Sequence, residues 1–207
     1  MRGRGVPGDY RTTMSQIQIG DGSYVSDGAA VGQNGGDGAG RTVIGENATI
    51  RSGSVIYAGV EIGDDFTTGH GAIVREKTIA GDDVVVGTNA VVDGQVTLGS
   101  HVSLQTGAYV PPGSTLGDEV FLGPHAVVTN DEYPIRTDDG LQGAHLADHV
   151  SVGANATILP GVTVGHGSFV AAGSVVTEDV PSETLAVGSP ARHRPLPDQL
   201  QGGNQIA

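Results

Sequence analysis

Aliphatic residues recur at every sixth position along most of this chain. In steps of six from Ile44 to Val128, thirteen of fifteen positions hold Ile, Leu or Val, and the same phase returns from Leu146 to Val176. Many of these positions follow, by two residues, a second small or apolar residue, and residues two apart on an extended strand share a face. Turn-forming Gly, Asp, Asn and Ser separate the pairs. The pattern predicts short strands with inward side chains, joined by corners, and it shows no helical period.

Glycine recurs at a longer interval of 18 residues, at Gly45, Gly63, Gly81, Gly99 and Gly117. Strands this short cannot bury their own inner face, so successive turns of the chain must stack on one another. Three strands of six residues close a triangular coil of 18, and about eight coils at ~4.8 Å each make a prism. We therefore predict an all-β parallel solenoid at 16–187, preceded by a disordered arm at 1–15 and followed by a C-terminal segment and mobile tail at 188–207.

The 18-residue period sorts the corners into three rows, which we number in chain order. The first row is acidic, the second is small and polar, and the third contains recurring glycine. Residues 129–145 interrupt the third row with about a dozen residues more than a corner needs, and long excursions from a regular scaffold are commonly functional. We predict an extruded loop there. The second row includes His70, Asn89, Thr106 and His125.

Composition narrows the classes of function. The chain has no cysteine, which excludes disulfides, thiol catalysis and thiolate metal sites. Its net charge of −13 argues against nucleic acid and anionic membranes as partners. No apolar run approaches the length of a membrane span, and the N-terminus lacks the apolar core of a signal peptide. We expect an acidic cytoplasmic protein, whose acidic row is either a solvated surface or an adaptation to high salt.

Two histidines of the second row are candidates for acid–base chemistry. A neutral imidazole is a natural acceptor for the proton of an attacking amine or hydroxyl, although a histidine on an exposed corner is often inert. His70 and His125 stand out because a polar row and the loop accompany them. The histidines placed singly among Asp, Ser or Gly are expected to be inert, namely His101, His149, His166 and His193. Asn130 and Asp131 begin the loop at about the height of this row. We expect the acceptor site there.

Four segments resemble a known superfamily. Phe121–Pro134 and Thr67–Arg75 are similar to segments of nucleotide-linked amino-sugar N-acetyltransferases among the hexapeptide-repeat acyltransferases. The runs Gly153–Gly161 and Ala172–Pro181 resemble the superfamily at large, so the resemblance covers residues 19–195. It implies a left-handed parallel β-helix, whereas the general rule for crossover connections favours the opposite hand.

The resemblance also implies a reaction and its participants. These are acetyl-CoA as cosubstrate with no metal required, a nucleotide-linked amino sugar as acceptor, and a homotrimer with active sites between subunits. The amine would attack the thioester carbonyl directly, while backbone N–H groups hold the developing oxyanion. Catalytic roles are predicted for His70, His125, Asn130 and Asp131, and acceptor binding for Asn89, Thr106, Tyr133 and Arg75. Cofactor binding is predicted for Ala154, Ala171, Ala172, Gly173, Ser174 and Arg192.

The chain departs from the family pattern at two places. Glu178 stands where relatives often carry a lysine that could serve the CoA phosphates, which leaves Arg192 and Arg194 as cations near the C-terminal end. Thr106 and Gly107 stand near a position where some relatives hold the sugar amine with Asn. Some relatives also lack a side-chain base, and there the departing CoA thiolate is thought to take the proton.

Other functions stay open at this point. O-acetylation of a sugar hydroxyl would use nearly the same residues as N-acetylation. A zinc carbonic anhydrase of the same fold needs three histidines, two of them five residues apart, but the nearest pair here, His145 and His149, is four apart. A non-catalytic scaffold is the third alternative, against which the extruded loop argues.

Overall fold

Short strands account for nearly all regular structure in the computed structural model, which describes residues 17–33, 40–137 and 140–204. The predicted arm at 1–15 lies outside these residues. Most strands have only two residues, because four of every six residues turn a corner. A 3-10 helix spans Asp198–Leu200. Within the described ranges, no helix has the length and apolar character needed to cross a membrane.

The strands, numbered in chain order, form three sheets. The first sheet contains β1 (Ile17–Ile19), β4 (Thr42–Ile44), β7 (Glu61–Ile62), β10 (Ile79–Ala80), β13 (Thr97–Leu98), β16 (Thr115–Leu116), β19 (His145–Leu146) and β22 (Thr163–Val164). The second contains β2 (Tyr24–Val25), β5 (Thr49–Ile50), β8 (Thr67–Thr68), β11 (Val85–Val86), β14 (Ser103–Leu104), β17 (Phe121–Leu122), β20 (Ser151–Val152), β23 (Phe169–Val170), β25 (Thr184–Gly188) and β26 (Ala191–Pro195). The third contains β3 (Ala30–Gln33), β6 (Val55–Tyr57), β9 (Ile73–Val74), β12 (Val91–Val92), β15 (Tyr109–Val110), β18 (Val127–Val128), β21 (Thr157–Ile158) and β24 (Val175–Val176).

The strand register confirms the predicted three-sided parallel solenoid. Ile79 of β10 pairs with Glu61 of β7 and with Thr97 of β13, each 18 residues away. The chain visits the first, second and third sheet in every turn, so β1–β24 make eight coils. The first corner of a coil joins the first sheet to the second, the second corner joins the second to the third, and the third corner leads into the next coil.

The inward side chains form one aliphatic column. Ile44, Leu104 and Ile158 are at most 1% exposed, and the other aliphatic residues of the six-residue series between them are buried as well. Thr68 interrupts the column, but its hydroxyl oxygen accepts hydrogen bonds from the Arg51 N–H at 2.8 Å and the Ser54 hydroxyl at 3.0 Å. The buried polar atom is therefore satisfied, and removal of the column from water is the main favourable contribution to folding.

The glycines at 18-residue intervals make room for the acidic side chains of the first corner. The backbone N–H of Asp64 donates to Asp82 Oδ1 at 2.9 Å. A Cβ added to Gly45 would overlap Asp64 Oδ1 and would lie 2.6 Å from the Gly63 carbonyl carbon. The period of 18 in glycine therefore reflects close stacking of consecutive coils at this corner.

The predicted loop leaves the prism at a third corner. Thr115 of β16 pairs with His145 of β19 across 30 residues instead of 18, and the excess lies between β18 and β19. The side-chain amide of Asn130 donates to the Pro112 carbonyl of the preceding coil at 3.0 Å. At the other end, the Gln142 N–H donates to the Asn130 carbonyl at 2.8 Å. These bonds close the base of the loop, which ends at residue 144 because β19 begins at His145.

The C-terminal segment is described as far as Asn204. Strand β25 adds to the second sheet in parallel, and β26 then pairs with it antiparallel over five residues. Strand β26 therefore covers the C-terminal edge of that sheet. Residues 196–204 return along the first corner, where the Asn204 side chain donates to the Glu119 carbonyl at 2.7 Å. The predicted domain boundaries themselves stay a prediction.

Candidate active site

The second corner row brings together four of the predicted site residues. His70, Asn89, Thr106 and His125 are all exposed and all lie on this row. Their side chains form two separate lines along the prism. His70 and Thr106 hold the second position of their corners, whereas Asn89 and His125 hold the third. The third position has a left-handed backbone, with φ of 54° at Asn89 and 57° at His125. Asn and His are among the non-glycine residues that most readily adopt it.

The imidazole of His125 rests on Gly107, its counterpart in the preceding coil. A Cβ on Gly107, which itself has φ of 69°, would overlap the ring. The His125 N–H donates to the Thr106 carbonyl at 2.9 Å, which fixes the backbone beneath the side chain. Within the described part of the chain, no group forms a hydrogen bond to the imidazole. His125 therefore has a positioned ring with both nitrogens available.

His70 lies elsewhere on the same row. Its Nδ1 is 3.3 Å from the Ser52 carbonyl oxygen and 3.4 Å from the Ser52 hydroxyl. Three coils separate it from His125, which is about 14 Å at the spacing of strands in a sheet. One reacting atom cannot be in contact with both imidazoles, so the two histidines are separate candidates for the base.

A strip of small residues continues from His125 toward the C-terminal end. The Asn155 N–H donates to the Pro124 carbonyl at 3.0 Å, and the Gly173 N–H donates to the Ala154 carbonyl at 2.9 Å. A Cβ on Gly173 would meet no atom within 4 Å. Ala171 and Ala172 lie beside Gly173 in the same corner. This part of the row is open enough for the thin chain of a pantetheine to lie along it.

The two remaining predicted cofactor residues differ in access. The side chain of Ser174 is buried, and its hydroxyl oxygen accepts the Gly188 N–H at 3.1 Å, so Ser174 holds the end of β25. Arg192 is exposed on β26, where it pairs with Val187 of β25. Strand β26 is the last strand of the second sheet, so Arg192 is a cation at the C-terminal end of the prism.

The loop contains a cavity of about 390 Å³. Asp131 Oδ1 accepts the Tyr133 N–H at 3.1 Å, which shapes the first turn of the loop. Because the loop leaves the third corner, strand β18 separates it from His125 within one protomer. The cavity brings together Asn130, Asp131, Glu132, Tyr133, Leu141 and Gln142.

Arg75 belongs to a different cluster at the third corner. Its Nη1 is 3.0 Å from Asp93 Oδ1, its Nη2 is 2.9 Å from Glu76 Oε1, and its guanidinium carbon lies 5.4 Å from the centre of the Tyr57 ring. Tyr109 also donates its hydroxyl to Asp93 Oδ2 at 2.8 Å. The structure therefore does not bring Arg75 to the second-corner row, and its charge is already neutralised.

Contacts within this cluster shift the pKa values of Tyr109, Glu76 and Arg75. Partial burial and then the hydrogen bond to Asp93 raise the pKa of Tyr109 to about 12. Burial opposes ionisation of Glu76, yet hydrogen bonds from its own backbone N–H and from Arg75 lower its pKa. Hydrogen bonds to Glu76 and then Asp93 raise the pKa of Arg75. At neutral pH, Arg75 and Glu76 are therefore charged and paired with each other, whereas Tyr109 is a neutral hydrogen-bond donor.

Sequence reasoning placed two residues on this row but assigned them no role in the site. Gly107 provides the space for the imidazole of His125, and Asn155 occupies the same corner position one coil further on. A step of 18 from His125, lengthened by the extra residues of the loop, leads to Asn155 and could have found it. As for metal ligands, the described residues contain no group of three or more His, Asp or Glu side chains placed to hold an ion.

Comparison with protein families identifies the repeat. The family model described as bacterial transferase hexapeptide (six repeats) matches residues 41–76 and 143–178. The model described as hexapeptide repeat of succinyl-transferase matches residues 77–112. Together the matches span more than half of the chain. A comparison with curated protein sequences found no match.

Solved structures give the same assignment. A histidine-to-alanine variant of GDP-perosamine N-acetyltransferase from Caulobacter crescentus, in complex with CoA and GDP-perosamine, is 28% identical with a TM-score of 0.50. The match covers 59% of this chain and 53% of that one, so this chain spans about half the length of that relative. A UDP-N-acetylglucosamine acyltransferase from Bacteroides fragilis matches over 86% of this chain and 70% of its own, with a TM-score of 0.72 and 17% identity. The chain therefore belongs to the hexapeptide-repeat acyltransferases and folds as their left-handed parallel β-helix.

Proposed function

We propose that this protein transfers an acetyl group from acetyl-CoA to the amine of a nucleotide-linked amino sugar. The observation that carries the proposal is the position of His125, directly before the open strip formed by Ala154, Ala172 and Gly173 in the next two coils. A pantetheine lying on that strip would bring its thioester close to a free imidazole. The similar Caulobacter enzyme, solved with CoA and GDP-perosamine, supports the class of both ligands.

Each group then has a chemical role. His125 accepts the proton of the amine as its nitrogen attacks the thioester carbonyl carbon. A backbone N–H group of the open strip stabilises the oxyanion, which collapses to the amide and expels the CoA thiolate. The cavity of the loop, with Asn130 and Asp131 at its base, receives the non-reacting part of the acceptor.

We further propose a homotrimer. The loop leaves the third corner, whereas His125 lies on the second, so a complete site requires the loop of one subunit to meet the second corner of its neighbour. The loop also exposes large apolar side chains, which suit burial against another subunit: Tyr133, Ile135 and Leu141. Light scattering of the intact protein and of Ile135→Asp tests this. We expect a trimer mass that the charged variant lowers, and a monomer mass for the intact protein would refute the assembly.

A thiol-release assay tests the proposed reaction. Acetyl-CoA is offered with a panel of nucleotide-linked amino sugars and with analogues that carry a hydroxyl in place of the amine. We expect release with an amine only, and release with the hydroxyl analogues would favour O-acetylation instead. If no member of the panel releases thiol, the proposed reaction is wrong.

Two variants identify the base. His125→Ala should lower turnover by about 10²–10⁴-fold if its imidazole is the general base. His70→Ala is the matched control, because His70 is an exposed histidine on the same row but three coils away. If His125→Ala keeps full turnover and His70→Ala loses it, His70 is the base; if both variants keep full turnover, the CoA thiolate is the base.

A further inference from the structure

A second cavity, of about 570 Å³, lies at the first corner and not on the row that carries His125. Its walls come from consecutive coils on one side and from the C-terminal residues on the other. The coils contribute His149, His166 and Glu183, and the C-terminal residues contribute Pro195, Leu196 and Gln201–Gly203. Its volume is within the range of small-molecule sites.

The C-terminal wall is held in place at its end. We name residues 196–204 the strap. The Asn204 amide donates to the Glu119 carbonyl at 2.7 Å and to the Val150 carbonyl at 3.2 Å, and its oxygen accepts the Ser151 hydroxyl. Gly203 packs on the His149 ring so closely that an added Cβ would lie 2.8 Å from Nδ1. Specific contacts therefore fix the strap as one wall of the cavity.

The lining of the cavity attracts a hydrogen-bond donor with positive charge. The rings of His149 and His166 meet edge to face with centroids 5.2 Å apart. His149 Nδ1 is buried and lies 3.0 Å from Glu119 Oε2, but the two atoms are not aligned for a hydrogen bond. Glu183 adds a carboxylate, and neither Lys nor Arg is among the lining residues. One nitrogen of each neutral imidazole and both oxygens of a carboxylate accept hydrogen bonds, which suits an ammonium group with its three donors.

We propose that this cavity binds a small organic amine of about monosaccharide size. The ammonium group is held by Glu183 with the imidazoles of His149 and His166, and the strap covers the bound molecule. The first corner also carries Asp118 and Glu119 in one coil and Asp148 in the next, and their negative electrostatic potential attracts cations.

Calorimetric titration of the full chain with glucosamine, in the absence of acetyl-CoA, tests the site. N-acetylglucosamine is the matched neutral probe, because it has the same ring without the ammonium charge. We expect glucosamine alone to bind, with an affinity that falls as salt is raised. Equal binding of both probes, or no binding of glucosamine, would overturn the proposal.

Variants then locate the binding. Glu183→Gln should weaken glucosamine binding at least tenfold, whereas Glu178→Gln, which removes an exposed carboxylate outside the cavity, should leave it unchanged. Asn204→Ala should weaken binding by releasing the strap, while the circular dichroism of the coils stays the same. Retention of full affinity in both Glu183→Gln and Asn204→Ala would place the amine elsewhere and sink the assignment. The outcome is separate from the acetyltransferase proposal, since acetyl-CoA takes no part.

Discussion

The Oδ1 atom of Asp64 accepts a hydrogen bond of 2.7 Å from the backbone N–H of Glu46, which stands at the same corner one coil earlier. The arrangement recurs between Asp118 and Ser100 at 2.8 Å and between Asp148 and Asp118 at 2.9 Å. Acidic side chains on this corner therefore bind one coil to the previous one. These bonds give Asp64, Asp82, Asp118 and Asp148 a structural role in the first row.

Gly45→Ala tests the close stacking that these bonds require. The new methyl group would overlap Asp64 Oδ1 and press on the Gly63 backbone. We expect the free energy of unfolding, measured by urea denaturation, to fall by about 3 kcal/mol, at the upper end of ordinary overpacking. Gly40→Ala is the control, because a Cβ there meets its nearest atom at 3.8 Å. Equal stability of the two variants would contradict the stacking.

The aliphatic column makes a second prediction. Leu104 is completely buried, so Leu104→Ala should lower the free energy of unfolding by about 2–5 kcal/mol through lost burial and a new cavity. Leu104→Asp should be more damaging, because it places a charge in a dry column. Ile79→Ala removes as many carbon atoms from a side chain that is 52% exposed, outside the loop, and should change stability by less than about 1 kcal/mol. A Leu104→Asp variant that melts like the parent would show that the strand register is wrong.

The pair of His101 and Asp83 predicts a pH dependence of stability. A hydrogen bond between Nδ1 and Oδ2 at 3.0 Å raises the pKa of His101. Because the folded value is the higher one, the pair stabilises the protein fully below the ordinary histidine pKa of about 6.5 and loses its effect as pH rises through the folded value.

His101→Asn should therefore lower the melting temperature at about pH 5.5 and leave it unchanged at about pH 9. Asn is the suitable replacement because His101 has φ of 58°, which Asn tolerates. His193→Asn, on the exposed strand β26, is the control and should show no such trend. A melting-temperature difference for His101→Asn that grows with pH would contradict the assignment.

Gly107→Ala tests how His125 is positioned. Both the variant and its control, Gly53→Ala, place a side chain at positive φ, of 69° and 78°, so both should lose about 1 kcal/mol of stability. Only the methyl group at position 107 displaces an imidazole, since the nearest atom to a Cβ on Gly53 lies at 3.4 Å. We expect turnover to fall in Gly107→Ala alone, with KM for acetyl-CoA unchanged. Equal turnover in the two variants would mean that the position of His125 is unimportant.

The six-residue period was sufficient to predict the coils, the buried series around Leu104, the corner rows and the loop at 129–145. These features depend on short-range rules that every coil repeats. One exceptional position, such as Thr68, therefore does not change the predicted register. The same regularity placed His125 on one row with Ala154 and Gly173, because residues of equal phase stack along the axis.

Only the tertiary structure decided which side chains already have hydrogen-bond or ion-pair partners within the protein. Asn130 bonds to Pro112 and Ser174 to Gly188, while Arg75 pairs with Asp93 and Glu76. The path of the strap along the first corner was likewise decided by the tertiary structure. The Asn204 amide that fixes it donates to the carbonyls of Glu119 and Val150, which are 85 and 54 positions away in the chain. A period in sequence fixes the height and corner of a residue, but it does not fix a rotamer or the return path of an aperiodic tail. Those depend on which donors and acceptors the packed coils leave within reach.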